Sequence, residues 1–396
     1  MRRAIVTAAV AIFTAAAGHA AAQDTLKIGA SAPKTGPLGG GAAVTHWPNI
    51  KLWIDDVNKR GGIKVGPKTM KVELVEYDDR TNGEEAVKNI QRLATVDKVD
   101  FIVTPYSTGI NVATAPIIAR YNYPHITTSA ATEKVPEFAK RWPNSFWLLG
   151  TSGQLAEGAV EAMVKARDAG LIGKRLALVH IADAFGLELI GVARAAFQKA
   201  GFELVYEASY PLGTQDLAPI ISQAKAARAE AFVAFSYPPD TFALTEQAQI
   251  QDLNVGAFYV GVGAAFPSYG ARFGSKANGV MGMGGVNTDS KEIQDYRRRH
   301  KEIAGADADY WASAMTYAGL QVLEQGIVRA GTTDRAKVIE AIRAAPAKTV
   351  MGDITLTDNI NHKVWTTGQW QNGVFRGIAS KGLDGAVTAI KKDGWK

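Results

Sequence analysis

Short apolar runs alternate with stretches of helical period along most of the chain. The runs Leu26–Ser31, Val72–Tyr77, Phe101–Thr104, His125–Thr128, Leu176–Ile181, Leu204–Tyr210, Ala231–Phe235, Ala257–Val262 and Val280–Gly284 predict strands. Several are continuously apolar, the pattern of parallel strands covered on both faces. Between them Trp47, Ile50, Ile54 and Val57 recur at three- and four-residue steps, and Gly61-Gly62 stops that helix. Ala86, Val87, Ile90, Leu93 and Ala94 mark a second helix, and Ala159, Val160, Met163 and Val164 another. This alternation predicts an α/β fold with parallel sheets and right-handed crossovers. The units are too many for one open sheet, so two lobes are expected. Ligands in such folds sit beyond the carboxyl ends of strands. The loops 32–41, 105–111, 129–132, 182–186, 236–240 and 263–267 therefore become the candidate site.

Composition narrows the chemistry. The chain has 396 residues, 47% apolar and 21% charged, ordinary for a globular protein of two or three domains. Cysteine is absent, which excludes disulfides, thiolate metal sites and cysteine nucleophiles. The six histidines are scattered, so neither a metal site nor a cofactor is expected. The net charge of +6 is modest, and its one dense basic cluster, Arg297-Arg298-Arg299-His300, falls on an amphipathic helix. That reads as a solvated face, and no nucleic-acid partner is expected. At the N-terminus, Arg2-Arg3 precede an apolar run Ala4–Ala17 and the small residues Ala20-Ala21-Ala22. This order predicts a signal peptide over residues 1–22 and export from the cytoplasm.

Motifs for catalysis are weak. Gly170-Leu-Ile-Gly173-Lys174-Arg175 is too short for a phosphate-binding loop and lacks its hydroxyl. Pro105-Tyr106-Ser107-Thr108-Gly109 approaches a hydrolase nucleophile elbow, with Pro where the first Gly belongs. Asp55-Asp56 and Asp78-Asp79 are adjacent pairs whose side chains diverge, so neither makes an acid–base dyad. Gly39-Gly40-Gly41 is expected to let a loop approach a ligand or bend.

The ordered segments Ile28–Pro37, Asp55–Ile63, Glu76-Tyr-Asp-Asp79, Pro105-Tyr-Ser-Thr108, Thr127–Thr132, Asp183-Ala-Phe-Gly186, Ser236-Tyr237 and Val350-Met-Gly-Asp353 carry a resemblance. Together they resemble the leucine/isoleucine/valine-binding family of periplasmic receptors that serve ABC importers. The resemblance implies a type I periplasmic-binding-protein fold: two Rossmann-like lobes, three crossovers and a ligand cleft between them. It places one lobe at 24–149 plus 287–363 and the other at 150–286 plus 364–396. It also implies a periplasmic, non-enzymatic receptor whose partners are a small-molecule ligand and a membrane ABC permease.

Site residues follow from the same resemblance. Ser107, Thr108, Ala130 and Thr132 match the positions that hold a ligand carboxylate. A loop entering a helix supports that role with free N–H groups and the positive end of a dipole. Tyr106, Phe185 and Tyr237 are expected to supply rings to an apolar ligand. His46 and Trp47 open the first long helix and are candidates for the same cleft, Trp47 with a core position as its alternative. Gly263 stands where amino-acid receptors of this family place an acid for the ligand ammonium. Without that acid, an aromatic carboxylate such as a benzoate or cinnamate derivative is the expected ligand. A branched-chain or aromatic amino acid is the second reading, with Asp183 or Asp240 supplying the acid. An exported α/β hydrolase using Ser107 is the third.

Overall fold

Strand Thr25–Ala32 pairs in parallel with Lys68–Asp78 on one side and Phe101–Val103 on the other, and Ile63–Val65 adds an antiparallel edge. The computed structural model describes residues 25–395; the expected signal peptide lies outside them. Next to Phe101–Val103, strand His125–Thr127 runs parallel to Ser145–Trp147, which pairs in turn with Ile360–Asn361. These strands, with helices such as Trp47–Lys59, Gly83–Thr95, Thr108–Arg120 and Ala312–Ala330, form the first lobe. The second lobe is one seven-stranded sheet. Its parallel strands are Val280–Met283, Ala257–Val260, Ala231–Phe235, Arg175–Ile181 and Glu203–Tyr210, and an antiparallel hairpin, Val364–Gln371 with Val374–Lys381, closes one edge.

All nine expected strands are present, and the two-lobed α/β architecture is the one the pattern predicted. Parallel strands must be buried on both faces, and Ala231–Phe235 and Ala257–Val260 are buried at every residue. The chain passes between lobes three times: between Trp147 and Ser152, between Met283 and Lys291, and between Asn361 and Val364. One expectation needs correction. Gly39-Gly40-Gly41 is not a free loop but the first turn of a short helix, Gly39–Thr45. Gly41 is needed there because a Cβ would lie 2.6 Å from the Tyr106 hydroxyl. Among the described residues no helix is long and apolar enough to cross a membrane, and no cluster of His, Cys, Asp or Glu has metal-site geometry.

Candidate ligand site

Five helices begin at one small cavity between the lobes, one of them Ser152–Asp168, which brings Leu155. Ser107 and Thr108 start Thr108–Arg120, Trp311 and Ala312 start Ala312–Ala330, Phe185 lies in the first turn of Ala184–Lys199, and Tyr237 caps Pro238–Ile250. All of these residues line the cavity, together with Tyr106, Thr128, Ser129, Ala131, Leu149, Leu155 and Val262. None of the lining side chains is charged. The free volume is about 30 Å³, the room of roughly two waters, so the walls are closed on each other. Gly109 confirms the closure: a Cβ there would lie 3.8 Å from Ala184 of the other lobe.

The helix starts differ in how their N–H groups are satisfied. Asp309 accepts from the N–H groups of Trp311, Ala312 and Ser313 at 3.1, 3.3 and 2.7 Å. Asp183 accepts from Gly186 N–H at 3.0 Å and from the Tyr237 hydroxyl at 3.1 Å. Asp240 accepts from Tyr237 N–H at 3.3 Å. Burial raises the pKa of all three acids, that of Asp240 to about 6. The start of Thr108–Arg120 has only the neutral Ser107 hydroxyl, which accepts from Ile110 N–H at 3.4 Å. Here the positive end of a thirteen-residue helix meets the cavity with no compensating charge. Ser107 itself has φ 84° and ψ 152°, a region that suits glycine and costs other residues about 1–3 kcal/mol. Strain of that kind gathers at functional sites.

The rings are arranged as a wall. Phe185 and Tyr237 stack with centroids 5.1 Å apart and planes 30° apart. Tyr106 faces them from the first lobe, and Trp311, which the sequence reading missed, completes the lining. The signal for Trp311 was poor, because a tryptophan before a helix reads equally as a core residue. Gly284 makes room for it: a Cβ there would lie 2.1 Å from the indole.

Of the residues marked from sequence, Tyr106, Ser107, Thr108, Phe185 and Tyr237 come together at the cavity. Five others do not line it. Ala130 packs among Ala115, Phe138 and Trp147, while its neighbour Ala131 faces the cavity. Thr132 donates to Glu188 of the other lobe at 2.7 Å. Trp47 is buried, donates its indole N–H to the Pro33 carbonyl at 3.3 Å and carries Lys34 over its ring. His46 is fully buried, its ring edge-on to Tyr106, and it donates Nε2–H to the Thr104 carbonyl at 2.8 Å. That bond fixes the tautomer, so Nδ1 is an acceptor, and burial lowers the pKa to about 4. His46 is therefore corrected as a cleft candidate: its one N–H is spent on the Thr104 carbonyl and it does not line the cavity. Gly263 has φ 111°, and a Cβ would lie 2.8 Å from Pro238 Cα, so no side chain fits this backbone. Val262 lines the cavity in its place.

A wider groove of about 630 Å³ lies beside Tyr310, Trp370 and Lys392, and none of the marked residues lines it. Two first-lobe histidines make bonds away from Ser107: His46 Nε2–H bonds the Thr104 carbonyl, and His125 bonds Ser145 and Asn111 at 2.9 and 3.2 Å.

Residues 25–373 match the family described as Periplasmic binding protein. The chain belongs to this family. It is 27% identical to Leu/Ile/Val-binding protein homolog 3 of Brucella melitensis over 92% of this chain and 97% of that one. An amino acid binding protein of Pseudomonas aeruginosa is 25% identical over 89% of this chain and 90% of its own. Among solved structures, the substrate binding protein LivJ of Streptococcus pneumoniae, in complex with isoleucine, superposes with TM-score 0.77 at 17% identity, covering 93% of this chain and all of that one. A solute binding protein of an ABC transporter from Rhodopseudomonas palustris, in complex with 3,4-dihydroxy benzoic acid, gives 0.76 at 21%, covering 93% and 99%. The chain is thus a periplasmic binding protein, similar along most of its length to Leu/Ile/Val-binding proteins.

Proposed function

We propose that this receptor captures a small hydrophobic carboxylate, with an aromatic acid favoured, by closing its lobes on it and delivers it to an ABC permease from the periplasm. The observation that carries this reading is a cavity walled by Tyr106, Phe185, Tyr237 and Trp311, with no charged side chain and one helix start left without an acid. The ligand carboxylate would lie at Ser107 and Thr108, where N–H groups and hydroxyls meet it without a buried Lys or Arg. Its apolar body would lie among the rings. Known members of this fold hold isoleucine or a dihydroxybenzoate, so the choice between them rests on the cavity. An ammonium needs a partner, and Asp183, Asp240 and Asp309 are occupied by helix N–H groups or the Tyr237 hydroxyl.

Lobe closure would turn on the three passages between lobes, with residues 24–149 plus 287–363 moving against 150–286 plus 364–396. A ring-sized ligand exceeds the space now present, so entry requires the lobes to part. The amino-acid reading keeps one specific support: Asp183 lies directly behind Tyr237, and a shift of that ring would free a carboxylate for an ammonium.

Calorimetry separates the two. Cinnamate or phenylpropionate is expected to bind at least about ten times tighter than phenylalanine, because an unpaired buried ammonium costs more than the missing amine. Tight binding of phenylalanine or leucine with weak binding of the plain acids would overturn the aromatic-acid reading.

A further inference from the structure

Strand His125–Thr127 ends at the cavity, and the next residue, Thr128, lines it. Thr128 is 4% exposed, and its Oγ1 is buried with no hydrogen-bond partner. A buried hydroxyl without a partner is costly to a folded chain. Its orientation is held from behind: the Thr128 methyl occupies the space a side chain at position 319 would need, since a Cβ on Gly319 would lie 2.4 Å from Thr128 Cγ2. The other hydroxyls nearby are engaged. Ser129 donates to the Pro105 carbonyl at 3.1 Å, Thr108 shares both backbone groups of Ala131 at 3.4 Å, and Thr132 donates to Glu188.

We infer that Thr128 is a ligand-binding residue, its hydroxyl donating to the second oxygen of the carboxylate whose first oxygen faces the start of Thr108–Arg120. This assignment rests on the carboxylate reading above. Two independent features converge on one small space: a helix start without an acid and a fixed, unpaired donor. A carboxylate has two oxygens and can use both. Thr132, which matches the family's contact position, is spent on Glu188, and Thr128 adds a second hydroxyl to that of Ser107.

The test compares Thr128→Val and Thr128→Ser with the unmutated receptor, using benzoate and cinnamate as probes and the unliganded melting temperature as a second readout. Valine keeps the shape and removes the hydroxyl. It is expected to weaken binding of the better probe roughly tenfold, as for loss of a charge-assisted bond, while the unliganded melting temperature stays level or rises. Serine is expected to stay within about threefold of the unmutated affinity. Opposite signs in affinity and stability are what a donor waiting for a ligand produces, and a merely structural hydroxyl would not give them. Unchanged affinity in Thr128→Val, or a fall of several degrees in its unliganded melting temperature, would overturn the assignment while leaving the receptor reading intact. If neither probe binds the unmutated protein, the carboxylate reading itself falls and the role of Thr128 falls with it.

Discussion

The starts of Thr108–Arg120 and Ala312–Ala330 meet the same cavity and are opposites electrically. At the second, the Asp309 carboxylate takes three N–H groups and neutralises the helix end. At the first, a serine hydroxyl takes one N–H and leaves the positive end open. The helices of the other lobe follow the Asp309 pattern through Asp183 and Asp240. The difference would orient an anion without a single cationic side chain in the wall: three of these helix starts carry an acid and would repel it, and one would accept it. It also explains why acids sit so close to a proposed carboxylate site without competing for it, since each is already bonded to helix N–H groups or, for Asp183, also to the Tyr237 hydroxyl.

Breaking the comparison at Ser107 should have the largest effect. Ser107→Ala is expected to weaken binding of an aromatic acid tenfold or more in calorimetry, because it removes a hydroxyl from the open helix end. Ser107→Gly should lose as much affinity yet melt higher than Ser107→Ala, since glycine relieves the positive φ at that position. Equal melting points in the two variants would refute the strain argument.

Next in size is the capped start. Asp309→Asn removes the charge that satisfies three N–H groups and should lower the melting temperature by several degrees, with a cost of about 1–3 kcal/mol. A stability unchanged by this substitution would mean that the carboxylate does not serve as a cap.

The clasp between lobes should matter less. Glu188 accepts from the Thr132 hydroxyl at 2.7 Å, from Glu133 N–H at 3.1 Å and from the Ser152 hydroxyl at 3.2 Å. Glu188→Ala is expected to speed ligand release severalfold and lower the melting temperature of the unliganded receptor only slightly, because the bonds from Thr132 and Glu133 exist only when the lobes meet and only the one from Ser152 lies within a lobe. An unaltered off-rate in stopped flow would refute the clasp.

The smallest effect is in pH dependence. Burial raises Asp240 from 3.8 to about 6, so the folded state binds more protons than the unfolded one between those values. Its contribution to stability is therefore greatest below pH 3.8 and is lost as pH rises to about 6. Buried His46, lowered to about 4, acts the other way, gaining stability as pH rises toward 6.5. Asp240→Asn should make the melting temperature rise more steeply, or fall less steeply, between pH 4 and 6. A curve identical to that of the unmutated protein would remove Asp240 from the balance.

Strands and lobes were readable because parallel strands leave continuous apolar runs, a local signal that survives without knowledge of neighbours. The hairpin Val364–Gln371 with Val374–Lys381 was missed although Asn372-Gly373, both at positive φ, is a strong two-residue turn signal. Gly368 and Gly377 had diluted its strand pattern. Each is glycine because an aromatic ring, of Phe375 or Trp365, occupies the space of its Cβ.

The sequence by itself determined the α/β class and the loops that carry the site, because loop position after a strand is fixed by local order, and the family resemblance picked out Tyr106, Ser107, Thr108, Phe185 and Tyr237 within those loops. Only the tertiary structure decided between neighbours: Ala131 and not Ala130, Val262 and not Gly263, Thr128 and not Thr132 at the cavity. Adjacent residues in a loop turn to different sides, and which side is the cleft depends on packing against a distant segment. Thr132 turns to Glu188, fifty-six positions away, and Trp311 enters from a helix no motif had marked. No local pattern encodes contacts of that range, since the partner is chosen by how two lobes meet.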